Sequence, residues 1–391
     1  MNDSRTYNYE RIPFPILFQE TADFEDTYGG TMGYVFFDAH LLKPKERESK
    51  TVIVFSHPIG GGAWLPLVNA LARAGHHVIY TNGRYRGNDT ALIMEKCVVD
   101  LGACIRHAKE KLGYERIILG GWSGGGSLSL FYQEQAEQPS LTSTPAGDPP
   151  DLTQAGLIPA DGVMLLAAHV SRATTLTEWM DPSILDESNP DLREPELNLY
   201  DPDNPNQPPY SEDYLARYRE TQIARNRRIT AWVKERLDML RAQGKTHHET
   251  GFVVQGTMAD PRWLDPAVDP NQRKPGTCYL GDPKVVNDGP VGLARFCTLR
   301  SWLSQWSYDD SKADGVRCAN RITVPVLVIG NLADDACTPS HTHRLYDAVS
   351  HADKEIHEID GASHYYLNQP EQQAQAVGHC GDWIQKHGWS V

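Results

Sequence analysis

The sequence predicts an α/β fold, a mostly parallel β-sheet layered between helices, and three observations predict it. Short β-branched runs stand out at Thr51–Phe55, Arg116–Leu119 and Val324–Ile329, with weaker ones at His77–Tyr80 and Gly162–Leu166. They are continuously apolar rather than alternating, which suits strands buried on both faces of a parallel sheet. Stretches with apolar residues at helical spacing separate them, so strand and helix alternate along the chain.

Each element follows in order. Phe14–Phe18 and Gly33–Phe37 read as peripheral, antiparallel edge strands. Leu65–Ala74 reads as the helix between the strands Thr51–Phe55 and His77–Tyr80. The next helix, Ala91–Leu112, carries Leu92, Cys97, Leu101, Cys104, Ile105 and Ala108 on one face. Strand Arg116–Leu119 leads through a glycine-rich turn into helix Ser127–Gln135. After Ala168 the alternation stops for about 150 residues, far more than an ordinary connection needs. Within that stretch 181–209 is rich in Pro, Asp and Asn and reads as irregular chain, and Ser211–Gln243 reads as a long helix with Ser211 as its N-cap. Alternation resumes with strand Val324–Ile329, helix His341–Val349, strand Glu355–Ile359 and helix Glu371–Lys386. The expected division is a core of residues 1–168 and 322–391, with 169–321 inserted as a cap or lid over the carboxyl edge of the sheet.

Composition excludes several classes. The 391 residues are 40% hydrophobic and 23% charged, ordinary for a globular protein. Fifty-one acidic against 37 basic residues leave a net charge of −14, which disfavours nucleic acid and anionic membranes as partners. The seven cysteines are scattered, with no C-x-x-C pair, so neither a disulfide framework nor a zinc site is expected. No basic segment followed by an apolar run opens the chain, and no run is long enough to span a membrane, so the cytoplasm is the expected location. The assembly is left open between monomer and homodimer.

The chemistry concentrates in four places. Gly121-Trp-Ser123-Gly-Gly125 lies between a strand and a helix, the context of a nucleophile elbow. A serine hydroxyl needs a base, and His364, in Gly361-Ala-Ser-His-Tyr-Tyr after the last strand, stands in the loop where a base would reach it. His57, His169, His341 and His343 are its rivals among 15 histidines. The imidazole needs a carboxylate to hold its tautomer and stabilise its cation. Asp334, in the turn Gly330–Pro339, is preferred on its spacing to Thr338-Pro339, with Asp335 as the alternative acid. The oxyanion of an acyl-transfer intermediate needs amide donors. Gly124 N–H is one; Ile59 N–H, in Ser56-His-Pro-Ile-Gly-Gly-Gly62, is the expected second, because Pro58 has no N–H. In that loop His57 is expected to brace the chain. No metal or cofactor is expected.

Together, SHPIGGG, GWSGG, the DD-x-C-T-P turn and GASHYY resemble the α/β-hydrolase superfamily, and within it capped, single-chain serine esterases of bacterial type, over residues 48–168 and 322–387. The resemblance implies an eight-stranded, mostly parallel sheet with its site under the cap, and acyl-enzyme chemistry on an ester, thioester, amide or lactone. The expected function is hydrolysis of a small to medium, largely apolar carboxylic ester or lactone. Acyl transfer, thioester cleavage or carbon–carbon bond hydrolysis on the same residues are alternatives, as is a non-catalytic ligand-binding receptor on a hydrolase scaffold. Trp179, Trp232, Trp263, Trp302 and Trp306 either line a pocket or form the core of the insertion. Most of Arg217, Arg219, Arg225, Arg227, Arg228 and Lys234 are read as a charged outer face of the long helix, and Arg300 as a solvated surface residue.

Overall fold

Eight strands among the described residues form one sheet, whose central strands are buried on both faces and can be satisfied only between two helical layers. The computed structural model describes residues 6–20, 33–289 and 292–389. Its strands are β1 (Tyr9–Gln19), β2 (Tyr34–Pro44), β3 (Thr51–Ser56), β4 (Val78–Thr81), β5 (Arg116–Ser123), β6 (Gly162–Ala168), β9 (Val326–Asn331) and β10 (Lys354–Ile359), in the order β1-β2-β4-β3-β5-β6-β9-β10. The two remaining strands, β7 (Gly251–Val253) and β8 (Phe296–Thr298), pair only with each other, antiparallel. β1 and β2 are antiparallel to each other, and β2 to β4; every other pair in the main sheet is parallel. β1 lies at the edge of the sheet as expected, but β2 lies inside it, between β1 and β4, and both strands are longer than the short runs that signal them. At eleven residues each they pair along their full length, because backbone pairing continues past the apolar residues that signal it.

β3, β6 and β9 are buried throughout. On one face of the sheet α2 (Met94–Glu110) and α3 (Gly124–Glu137) enclose a core that includes Val98, Leu101, Ile105 and Phe131. On the other, α1 (Pro66–Arg73) and the helix Pro370–Lys386 enclose one that includes Leu67, Leu71, Trp383 and Ile384. The chain leaves β3 toward β4 on one side and β5 toward β6 on the other. Connections that part in this way open a crevice at the carboxyl ends of the strands, where open α/β sheets bind ligands.

The insertion joins β6 to β9, which are neighbours in the sheet. It begins with α4 (Arg172–Trp179), and its longest element is α5 (Glu212–Ala242), whose N-cap Ser211 accepts a hydrogen bond from Tyr214 N. Its regular structure is mainly helical and fits a cap. It has its own core, in which Trp179, Trp263, Trp302 and Trp306 pack with Leu237 and Val233, whereas Trp232 is exposed.

Arg217, Arg227, Arg228 and Lys234 form an exposed charged face of α5, as expected for most of its basic residues, and two others differ. Arg225 is fully buried, paired with Glu187 at 2.6 Å, and Arg219 reaches the buried Asp260 at 2.7 Å. Charge alone marks a residue as exposed only when no acid folds back onto it, and here the irregular chain before α5 supplies one. Arg300 likewise is not a solitary surface cation: it pairs with Asp148 at 2.6 Å and Glu249 at 2.8 Å. All seven cysteines are buried and unpaired. Among the described residues no helix is long and apolar enough to cross a membrane.

Candidate active site

Ser123 ends β5 and caps the start of α3 with φ 53° and ψ −126°. A positive φ at a residue with a Cβ is strained by about 1–3 kcal/mol and persists only where the surroundings impose it. The surroundings here are tight. A Cβ on Gly125 would sit 2.3 Å from Ser56 O, and one on Gly126 would sit 2.4 Å from Ala168 Cβ. Those two positions admit glycine only, and their close packing presses the start of α3 between the ends of β3 and β6. Ser123 is thereby presented at the carboxyl edge of the sheet.

His364 lies in the loop after β10, over the elbow. Its ring centroid is 4.6 Å from that of Trp122, and its carbonyl accepts a bond from Trp122 Nε1 at 3.4 Å. Its Nδ1 meets Asp334 Oδ2 at 2.7 Å, with both side chains buried. The other carboxylate oxygen of Asp334 accepts the Ala336 and Cys337 amides at 2.7 and 2.8 Å. Three donors therefore fix one carboxylate, and the carboxylate fixes the imidazole. Asp335 makes no such bond among the described residues; burial and the Asp334 charge push its carboxyl up to about 6.

Among the described residues no hydrogen bond runs from Ser123 Oγ to His364. The two converge instead on Cys337. Its Sγ, a nitrogen of His364 and an oxygen of Asp334 all lie within 4.8 Å of one another. Burial and the Asp334 charge raise the Cys337 thiol well above its ordinary range, opposed by a hydrogen bond with Ser123. The same three side chains have the spacing of a metal site. An ion there would have to displace the 2.7 Å bond between Nδ1 and Oδ2, so the imidazole–carboxylate pair is the simpler account of them.

The loop after β3 departs from expectation at Ile59. Its amide donates to His57 Nδ1 at 3.3 Å and is not a free donor. The Gly60 and Gly61 amides are bound to His57 O and Asn82 Oδ1 at 2.8 Å each. The loop closes on its own histidine, so glycines there tighten a turn rather than open amides to a ligand. Burial lowers His57 to about 3, with the charges of Arg172 and His364 adding to it, so the ring is neutral. Nδ1 accepts from Ile59, which leaves the proton on Nε2. That nitrogen stands 2.8 Å from where a Cβ on Gly124 would be. Gly124, the first residue of α3, has an amide with no partner inside the helix.

The other histidines are accounted for. His341 Nε2 meets Glu178 at 3.0 Å, and His343 is an exposed partner of Glu358. His169 follows β6, and its amide donates to Ser123 O at 3.1 Å. Its ring lies beside Trp179, His341 and His364, buried and held neutral mainly by desolvation.

A small, partly open pocket lies against this group. It is lined by His57, Ser123, Gly124, His169, Arg172 and Thr175 together with the apolar Leu176, Trp179 and Leu293. Sequence reasoning missed Arg172 and Thr175. The available signal was their position just beyond the carboxyl end of a buried parallel strand, where ligand-contacting residues gather. Trp179 belongs both to the pocket and to the core of the insertion.

Two family models match the chain: one described as the alpha/beta hydrolase fold over residues 51–152, and one described as serine aminopeptidase, S33, over residues 310–371. No curated protein matches it. A monoacylglycerol lipase from Paleococcus ferrophilus is similar at 15% identity and a TM-score of 0.43, over 97% of this chain and 99% of the lipase. The esterase domain of a Rhodothermus marinus protein is similar at 12% identity and a TM-score of 0.47, over 96% of this chain and 98% of that domain.

Proposed function

We propose that this chain, which belongs to the α/β-hydrolase superfamily, is a serine hydrolase that cleaves a small carboxylic ester or lactone through an acyl-enzyme intermediate. The observation that carries the proposal is the 2.7 Å bond between His364 Nδ1 and Asp334 Oδ2 directly over the strained Ser123 elbow. A carboxylate on Nδ1 leaves Nε2 as the proton acceptor and stabilises the imidazolium that forms. Ser123 Oγ attacks the carbonyl carbon while its proton passes to His364 Nε2. The same proton then goes to the leaving alkoxide, and water repeats the sequence to release the acid.

The absence of a bond between Ser123 and His364 fits a resting site, because catalytic hydrogen bonds often tighten only when substrate binds. Gly124 N–H is the first oxyanion donor. Ile59 N–H is the second if the oxyanion draws it from its long bond to His57. Seven buried free thiols support a reducing compartment, the cytoplasm, as the location.

The test compares wild type with Ser123→Ala on a panel of short-chain nitrophenyl esters, lactones and aminoacyl amides. The expected result is ester turnover that falls by a factor on the order of 10⁴ or more in the variant. Equal rates in the two proteins would remove Ser123 from the mechanism. Preference for amides over esters would transfer the proposal to a peptidase.

A further inference from the structure

We propose that Arg172, with Thr175 and His169, forms a built subsite for a second oxygen acceptor on the substrate, a carboxylate or ketone, so that the preferred ester is polar rather than purely apolar. This deepens the esterase reading and rests on it.

Arg172 is 4% exposed in the wall of the pocket that holds Ser123. Two of its three nitrogens are committed: Nε donates to Gln305 Oε1 at 2.8 Å and Nη2 to Asp89 Oδ2 at 2.6 Å. Gln305 in turn donates to Asp89 O at 3.0 Å, and the Ala294 amide donates to Asp89 Oδ2 at 2.7 Å. The guanidinium is thus held from three segments of chain, with its charge balanced and its plane fixed. Nη1 has no hydrogen-bond partner among the described residues, and a guanidinium in a pocket lining with one nitrogen uncommitted matches an oxygen acceptor.

Helix stability does not explain the residue. Arg172 opens α4, where the positive end of the helix dipole disfavours a cation. The second observation is independent. Thr175 Oγ1 and His169 Nδ1, both in the same pocket wall, are buried without a partner. Buried polar atoms are nearly always bonded, so two orphans on residues that line the same pocket as Arg172 point to a ligand that would satisfy them. The Tyr279 hydroxyl is a third orphan, its ring between Trp179 and His364. Leu176, Trp179 and Leu293 complete the lining with apolar side chains.

The experiment has a kinetic and a binding arm. The kinetic arm compares the 4-nitrophenyl esters of succinate and levulinate with that of valerate, and acetylated glycolate with propyl acetate, so that either side of the ester can carry the oxygen. Wild type should favour at least one oxygen-bearing member roughly 10- to 100-fold in kcat/KM, the range of a hydrogen bond to a charged group. Arg172→Met and Thr175→Val should each reduce that ratio. Thr175→Val, which leaves the Asp89 pair intact, decides the matter if Arg172→Met fails to fold. The succinate and levulinate members separate a carboxylate from a ketone.

The binding arm measures, by calorimetry, the same esters on Ser123→Ala and on Ser123→Ala/Thr175→Val. Ser123-dependent turnover with no preference for oxygen in wild type, or a preference that survives both substitutions, overturns the subsite and leaves the hydrolase intact. Binding that weakens with Thr175→Val, in a protein that hydrolyses nothing, supports the subsite and overturns the hydrolase.

Discussion

Asp334 and Asp335 are chemically identical and adjacent, yet the fold gives them opposite situations. Asp334 accepts three hydrogen bonds as a carboxylate, whereas Asp335 is raised to about 6 by burial and by its neighbour's charge. Asp334→Asn should therefore lower kcat by about 10⁴, as loss of the residue that orients a catalytic imidazole does elsewhere. Asp335→Asn should stay within about tenfold of wild type, since it removes no bond to the imidazole. Steady-state kinetics on both variants checks this, and a larger loss at 335 would reverse the assignment. Spacing could prefer Asp334 but not separate it from Asp335, because which of two consecutive side chains faces a histidine 30 residues away depends on the turn's dihedral angles. Ile59 shows the same limit: Pro58 pointed to it as the donor, but only coordinates reveal that its amide donates a hydrogen bond to His57 Nδ1.

At the scale of elements, the signals that held were those with a period or a local rule. The buried runs became β3, β5, β6 and β9, and the N-cap signal at Ser211 opened α5 where the pattern placed it. The elbow held because its glycines meet backbone on close approach. Gly125→Ala tests that argument. With Ser56 O at 2.3 Å from the new Cβ, the backbone of β3 or α3 must move. Overpacking of this kind costs about 1–3 kcal/mol, and here it also shifts Ser123, the proposed nucleophile. The expected outcome is a lower melting temperature together with a loss of turnover larger than the stability change explains. A folded variant with full activity would show that the elbow has slack. The charged face of α5 holds for four of its six basic residues; the periodic reading could not single out Arg225 and Arg219, because they find their acids on segments far away in sequence.

For the whole molecule, the contact of insertion with core is partly electrostatic. Glu95, in the first turn of α2, is fully buried and accepts a bond from Ser304 of the insertion at 2.8 Å. Burial raises its pKa from 4.5 to about 7 against the hydrogen bonds that lower it. Below pH 4.5 folded and unfolded chains both hold the proton. Between 4.5 and 7 only the folded chain does, so this group's contribution to stability is lost as pH rises through that window, by about 3 kcal/mol in all. Glu95→Gln removes the titration. Its melting temperature, measured against wild type from pH 5 to pH 8, should gain progressively toward the alkaline end. Parallel curves would place the ionisation elsewhere.

What the sequence determined by itself is the layered α/β sheet, the elbow at Ser123, the loop positions of His364 and the acid pair, and an insertion too long to be a connection. These are local matters: periodicity, β-branching, glycine and N-caps act within a few residues and leave their mark in the order of the chain. Only the tertiary structure decided which aspartate faces the imidazole, that Arg172 and Thr175 share a wall with Ser123, and that Trp179 serves pocket and core together. Those relations join residues tens to hundreds of positions apart, and no local pattern records the packing that brings them into contact.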